Sequence, residues 1–173
     1  MSFILAGIVS VLVLVADQVA KYIVSTNMEI NDTVSLSAIN WFIDFHYIEN
    51  DGGAWGMLGG KTLLLLLVTG AIMAVLAFLM IKNAKKSKLF FWASSLIIAG
   101  GIGNMIDRVF HDGLVVDFLR FTFIDFPVFN VADVAVCTGA GLLMLYFVLD
   151  IIKDAKEKKK GKKEEEITEE APE

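Results

Sequence analysis

Cysteine is almost missing from this chain: Cys137 stands alone among 173 residues. One thiol cannot close an intramolecular disulfide, and no Cys or His set has the spacing of a metal site, so no metal is expected. Cys137 itself reads as a small packing residue in an apolar segment. Histidine is nearly as scarce, and His46 and His111 are too far apart in sequence to suggest a pair of ligands. No basic stretch is interleaved with aromatic rings, which excludes the common nucleic-acid surface. Gly100-Gly101-Ile102-Gly103 lies inside an apolar run and lacks a downstream Lys-Ser/Thr. It therefore reads as close helix packing rather than a nucleotide loop, and no cofactor is expected. Positive charge is absent from residues 25–60, and Arg120 is the only basic residue in 109–130.

What the chain has in excess is apolar surface. Hydrophobic residues make up 56% of it, and the mean hydropathy is +0.66. Both exceed what an ordinary soluble domain carries, and a single polytopic, mainly α membrane domain fits. Apolar runs predict spans over about 3–24, 62–81, 89–108 and 131–150. Each is near the roughly 20 residues that cross a hydrocarbon core. The first run has no basic n-region and no A-x-A-like site after it, so a retained span is expected rather than a cleaved signal. The membrane domain is expected to cover 1–152. The tail, 153–173, is a Lys block followed by a Glu block, a composition that predicts disorder.

Between the spans lie loops 25–61 and 109–130. In the first, Ile43, Phe45 and Tyr47 alternate with Asp44 and His46, the period of a half-buried strand. Trp41, Phe42, Tyr47 and Trp55 suit a small sheet at headgroup level, where amphipathic rings accumulate. Orientation follows from the lysines. Four fall in 82–88 and seven in 153–163, out of 15 basic residues in all. The positive-inside rule then puts both termini in the cytoplasm and the two loops outside. The Lys block of the tail has a generic neighbour in anionic inner-leaflet lipid.

With this topology the unusual polar residues converge. Asp17 and Lys21 end the first span, Asn104, Asp107 and Arg108 end the third, and Asp133 opens the fourth. Asn50 and Asp117 lie in the outer loops. An ionisable group at a span centre costs about 2.5–3.5 kcal/mol, so such residues are seldom incidental. Two carboxyls sharing a low-dielectric site cannot both ionise easily, so Asp117 and Asp133 could serve as a general acid and a general base. Spacing alone leaves a second reading open: Asp133 at a helix N-terminus capped by Asn130, and Asp117 solvated in a loop. Asn104, Asp107 and Arg108, at i, i+3 and i+4, share a helix face. Arg108 could hold a carbonyl or phosphate and Asn104 a substrate backbone, while an Asp107–Arg108 pair could simply neutralise charge. Asp17 and Lys21, at i and i+4, read as an internal ion pair that supports the site.

Five motifs occur in order: Asp17-Gln18-x-x-Lys21; Asn50-x-Gly52-x-Ala54-Trp55-Gly56; Gly101-x-Gly103-Asn104-x-x-Asp107-Arg108; Val115-Val116-Asp117-Phe118; and Phe129-Asn130-x-Ala132-Asp133. Together, on four spans, they resemble the bacterial lipoprotein signal peptidases (signal peptidase II), an aspartyl protease family. The resemblance runs to about residue 152. It implies four transmembrane helices with an extracytoplasmic sheet cradle, and Asp117 and Asp133 as a metal-free catalytic dyad. It implies that Asn50, Asn104, Arg108 and Asn130 line the substrate site, supported by Asp17 and Lys21. It also implies hydrolysis, at the outer face of the cytoplasmic membrane, of the bond before a diacylglyceryl-modified cysteine in a prolipoprotein. The expected partners are that substrate and membrane lipid, with the enzyme a monomer. Gly53 stands where relatives more often carry a larger residue.

A four-span proton-coupled exporter would also use membrane acids. It should carry them near the midplane and often shows an internal repeat; here the acids gather at one interface and no repeat relates the halves. The lack of metal-ligand spacing yields a direct expectation: cleavage of a lipid-modified prolipoprotein proceeds at full rate in a strong chelator. Loss of cleavage that zinc restores would contradict it.

Overall fold

The computed structural model describes residues 2–36, 38–52, 59–83 and 87–169. Gly53, Ala54, Trp55 and Gly56 of the second motif, and Lys85 and Lys86 of the basic loop, lie outside these described residues. The order of elements is α1 (Ser2–Asn27), β1 (Thr33–Val34), β2 (Ile43–Asn50), α2 (Thr62–Asn83), α3 (Lys88–Phe110), β3 (Val115–Phe121) and α4 (Val131–Glu169). Each of the four helices contains a stretch long and apolar enough to cross a membrane. The chain is thus mainly α, with a small antiparallel sheet of order β1-β2-β3.

The helices bury small residues and turn large apolar ones outward, as lipid-facing helices do. Ala6, Ala93, Ala99 and Ala132 are buried, while Leu12, Phe78 and Ile81 are exposed. α3 is central and packs against α1, α2 and α4. Its glycines make this possible. A Cβ at Gly100 would collide with the carbonyl oxygen of Ala132 in α4, and one at Gly103 would lie 2.6 Å from Asp17 Oδ2 in α1. The sequence reading of this glycine stretch as a packing surface therefore holds. At its start α3 is capped by Ser87, whose side chain accepts from Phe90 N at 3.2 Å. At its end the His111 N–H donates to Asp107 O at 2.7 Å, and Asp112 and Gly113 turn the chain with positive φ.

Two elements differ from the sequence expectation. α4 continues as helix to Glu169, through most of the tail expected to be disordered. Lys, Glu and Ala are strong helix formers, and a span that is already helical removes the cost of nucleation. Lys153 and Glu157 pair at 3.7 Å, but both are exposed, so the pair adds little. The second difference is β3, which turns part of the second loop into a strand. Val115–Phe121 is rich in β-branched and aromatic residues, the composition a strand favours.

The sheet stitches the two loops together. Asp44 lies opposite Arg120, and the guanidinium grips its carboxylate with two bonds, of 3.0 and 2.7 Å. An irregularity between Phe45 and Ile48 shifts the register and sets Ile48 against Asp117 and Asn50 against Val115. Val24, Tyr47, Val116 and Phe118 form the apolar cluster under the sheet. His46 is half-buried, with Nδ1 2.9 Å from Thr33 Oγ1.

Helix packing through Gly100 gives a testable consequence. Gly100→Ala should destabilise the protein by about 1–3 kcal/mol through overpacking, lowering the thermal midpoint in detergent. Gly7→Ala, where no atom lies within 4 Å of a new Cβ, serves as the control and should not lower the midpoint, since Ala favours helix over Gly.

Candidate active site

The polar residues of five elements, α1, β2, α3, β3 and α4, meet at one end of the bundle. β3 runs out to Phe121, and after a short excursion Phe129 pairs back onto Leu119, with N–H to O distances of 2.7 and 2.9 Å. This return sets Asn130 beside Asp117 and starts α4 immediately afterwards. It explains how two acids 16 positions apart reach one place.

Asn130 joins them. Its Nδ2 donates to Asp117 Oδ1 at 2.6 Å and also lies within reach of Asn104 Oδ1 and Val116 O. Its Oδ1 accepts the Asp133 N–H at 2.9 Å, while its own N–H donates to Asp133 Oδ2 at 3.1 Å. The last two bonds form a reciprocal cap of the capping-box type at the N-terminus of α4. The helix-cap reading of Asn130 and Asp133 is therefore correct in geometry, and it coexists with a place in the site. The reading of Asp117 as a solvated loop residue is not correct. Asp117 sits on β3 and is only 2% exposed.

Each acid accepts a second amide. Asn50 Nδ2 donates to Asp117 Oδ2 at 2.8 Å, and Asn104 Nδ2 donates to Asp133 Oδ1 at 2.8 Å. Asn50, Asn104, Arg108, Asp117 and Asp133 line one cavity of about 490 Å³, whose other walls include Phe121, Phe126, Phe129 and Val134. Arg108 Nη1 donates to Asn104 O at 3.3 Å, and its Nε is buried without a partner among the described residues. The cavity thus combines a pair of carboxyls, three amide or guanidinium side chains and a broad apolar wall. Such a set can orient a peptide carbonyl and a water while an apolar substituent lies alongside.

Asp17, Lys21 and Asp107 stand behind this wall. Lys21 Nζ lies 3.0 Å from Asp17 Oδ2, 2.9 Å from Asp107 Oδ2 and 3.0 Å from Asn104 Oδ1. All three charged side chains are almost wholly buried. The simple pairing of Asp107 with Arg108 is not found: Asp107 turns to α1, and Arg108 makes no ion pair among the described residues. Being three residues from Asn104 and one from Arg108 places Asp107 on the flank of the face they share. All nine residues singled out from the sequence lie in this cluster. Gln18, whose amide touches both Asp17 and Asp107, was overlooked as a site residue, although it sits inside the first motif. Cys137 is not buried packing but an exposed residue on the cavity wall.

The sequence model of the family described as signal peptidase (SPase) II matches residues 9–149. The chain belongs to the signal peptidase II family. The lipoprotein signal peptidase of Enterococcus faecalis is 38% identical to it over 154 residues, covering 89% of this chain and 93% of that protein. The lipoprotein signal peptidase of Halalkalibacterium halodurans is 39% identical, covering 87% and 96%. A solved bacterial membrane enzyme shares the fold with a TM-score of 0.79 and 36% identity, covering 84% of this chain and 88% of that one.

In this signal peptidase the Asp117 carboxyl is pushed up to about 7. Burial is the main cause, followed by the nearby Asp133 carboxylate. The bonds from Asn50 and Asn130 and the charge of Lys21 pull the other way. Asp133→Asn removes one raising cause, so the Asp117 titration midpoint should fall in that variant. Carboxyl ¹³C NMR or infrared difference spectroscopy would follow it. A midpoint that stays where it is would leave burial as the sole raising cause.

Proposed function

We propose that this signal peptidase removes signal peptides from prolipoproteins by aspartyl-type hydrolysis, with Asp117 and Asp133 as its two working acids. The carrying observation is that both carboxyls face one cavity and are hydrogen-bonded to the same residue, Asn130. One carboxylate takes a proton from water as the water oxygen attacks the peptide carbonyl. The protonated partner polarises that carbonyl, and the proton the base took from water then passes to the leaving amine of the modified cysteine, which restores both acids. With the Asp117 carboxyl pushed up to about 7, the pair is suited to hold one shared proton near neutral pH. Asn50, Asn104 and Arg108, which line the cavity, supply donors for the substrate backbone and for the developing oxyanion. Asn130, expected from the resemblance to line the substrate site, is fully buried and holds the two acids instead.

The substrate is a prolipoprotein carrying a diacylglyceryl-modified cysteine, cut at the bond before that cysteine. Two features support this. Relatives with 38% and 39% identity over most of their length are lipoprotein signal peptidases. The cavity wall of Phe121, Phe126, Phe129 and Val134 is apolar enough to lie against acyl chain. The lysine asymmetry favours cytoplasmic termini, with the site at the outer face of a bacterial cytoplasmic membrane. There a lipid-anchored substrate presents its scissile bond at headgroup depth. The exporter reading is not favoured, because the acids lie at the end of the bundle and the relatives are peptidases.

The test uses purified enzyme and a diacylglyceryl-modified prolipoprotein. Asp117→Asn and Asp133→Asn should each fold, by thermal shift, and each lose about 10²–10⁴-fold in cleavage rate, the range of a lost general acid or base. Near wild-type cleavage by either variant would remove that residue from the dyad.

A further inference from the structure

Asp17 and Asp107 each hold the main chain at the residue just before a dyad acid. Asp17 Oδ1 accepts the N–H of Ala132, next to Asp133, at 2.8 Å. Asp107 Oδ2 accepts the N–H of Val116, next to Asp117, at 3.1 Å. The two clamps come from different helices, α1 and α3, and two residues of α1 tie them together. Lys21 bonds both carboxylates. Gln18 does so as well: its Nε2 lies 3.1 Å from Asp17 Oδ2, 3.1 Å from Asp107 Oδ1 and 3.2 Å from Gly103 O.

We propose that Gln18 is a positioning residue for the reaction, the neutral tie that, with Lys21, fixes the two clamps and so the separation of Asp117 and Asp133. This rests on the dyad reading above. The chemistry explains the residue type. Two carboxylates already face one ammonium, so a further carboxylate would repel both, and a second cation would add charge behind acids that need one shared proton. An amide supplies the hydrogen bonds without charge. A third acceptor, Gly103 O, belongs to the glycine whose missing side chain makes room for Asp17 of α1, which seats the amide between the helices.

Gln18→Leu keeps the apolar bulk and removes the ties. Its kcat on a diacylglyceryl-modified prolipoprotein, corrected for folded fraction, should fall by about 10²-fold, the effect of a misplacement near 1 Å. KM should stay within about threefold, because the cavity-lining groups are untouched. Gln18→Glu adds a pH readout. The charged groups it meets are Asp17 on α1 and Asp107 on α3, with Lys21 bonded to both. Asp117 on β3 and Asp133 on α4 follow the main-chain groups those carboxylates hold, and Arg108 follows Asp107 on α3. The new carboxylate repels the clamps when ionised and donates one bond when protonated. The ratio of its kcat to that of the wild type should therefore rise as pH falls, while the Gln18→Leu ratio stays flat.

Wild-type kcat in Gln18→Leu, or a loss accounted for by unfolded protein, would overturn the proposal. So would a pH-independent ratio in Gln18→Glu. Failure of both variants to fold would make Gln18 a bundle-folding residue and likewise reject it. Asp117→Asn and Asp133→Asn run beside them separate the two ideas: their cleavage at wild-type rate sinks the dyad reading whatever Gln18 does.

Discussion

A single ammonium group, that of Lys21, lies buried between the carboxylates of Asp17 and Asp107, and the architecture of the site hangs on that contact. Desolvating three charges is costly, and removing one partner of a buried pair typically costs about 3–5 kcal/mol. The arrangement is tolerable because every carboxylate oxygen concerned has a partner. The oxygens not engaged by Lys21 bond Ala132 N and Gln18 Nε2, and Val116 N adds a second bond to the Asp107 oxygen that Lys21 holds. Electrostatic necessity thus fixes the relative placement of α1, α3, β3 and the start of α4.

The surrounding fold accommodates this cluster by inverting the usual distribution of residues. Many large apolar side chains of the helices face outward, and the interior near the site is made largely of small residues and hydrogen-bonded polar groups, with Arg108 Nε an exception among the described residues. Gly100 and Gly103 let α3 approach α4 and α1 closely enough for short side chains such as Asp17 to reach the main chain of another element. The sheet adds a lateral constraint. The Asp44–Arg120 grip and the shifted register of β2 bring Asn50 against Asp117. The acids are therefore positioned from behind by ions and from the side by a strand.

Much of this was legible beforehand, for identifiable reasons. Four apolar runs of bilayer length have few alternatives to helices, and the alternation of Ile43, Phe45 and Tyr47 marks one strand by period alone. β3 escaped because its residues run apolar without clean alternation, and its pairing partner, β2, lies in the other long loop. The helical tail escaped because charge blocks of Lys and Glu suit disorder and helix alike. Gln18 stands between Asp17 and Lys21, whose i, i+4 pairing accounts for that turn of helix without it.

Sequence by itself determined the membrane class, the four helices and the gathering of Asn104, Asp107, Arg108 and Asp133 near span ends, because hydropathy and helix period are local properties. Membership of Asp117 and Asp133 in one cavity was decided only in three dimensions. It depends on Phe129 pairing back onto Leu119, on the reciprocal cap between Asn130 and Asp133, and on a glycine face that admits α4. Those contacts join residues far apart in the chain, and no local pattern encodes which carboxylate will meet which amide.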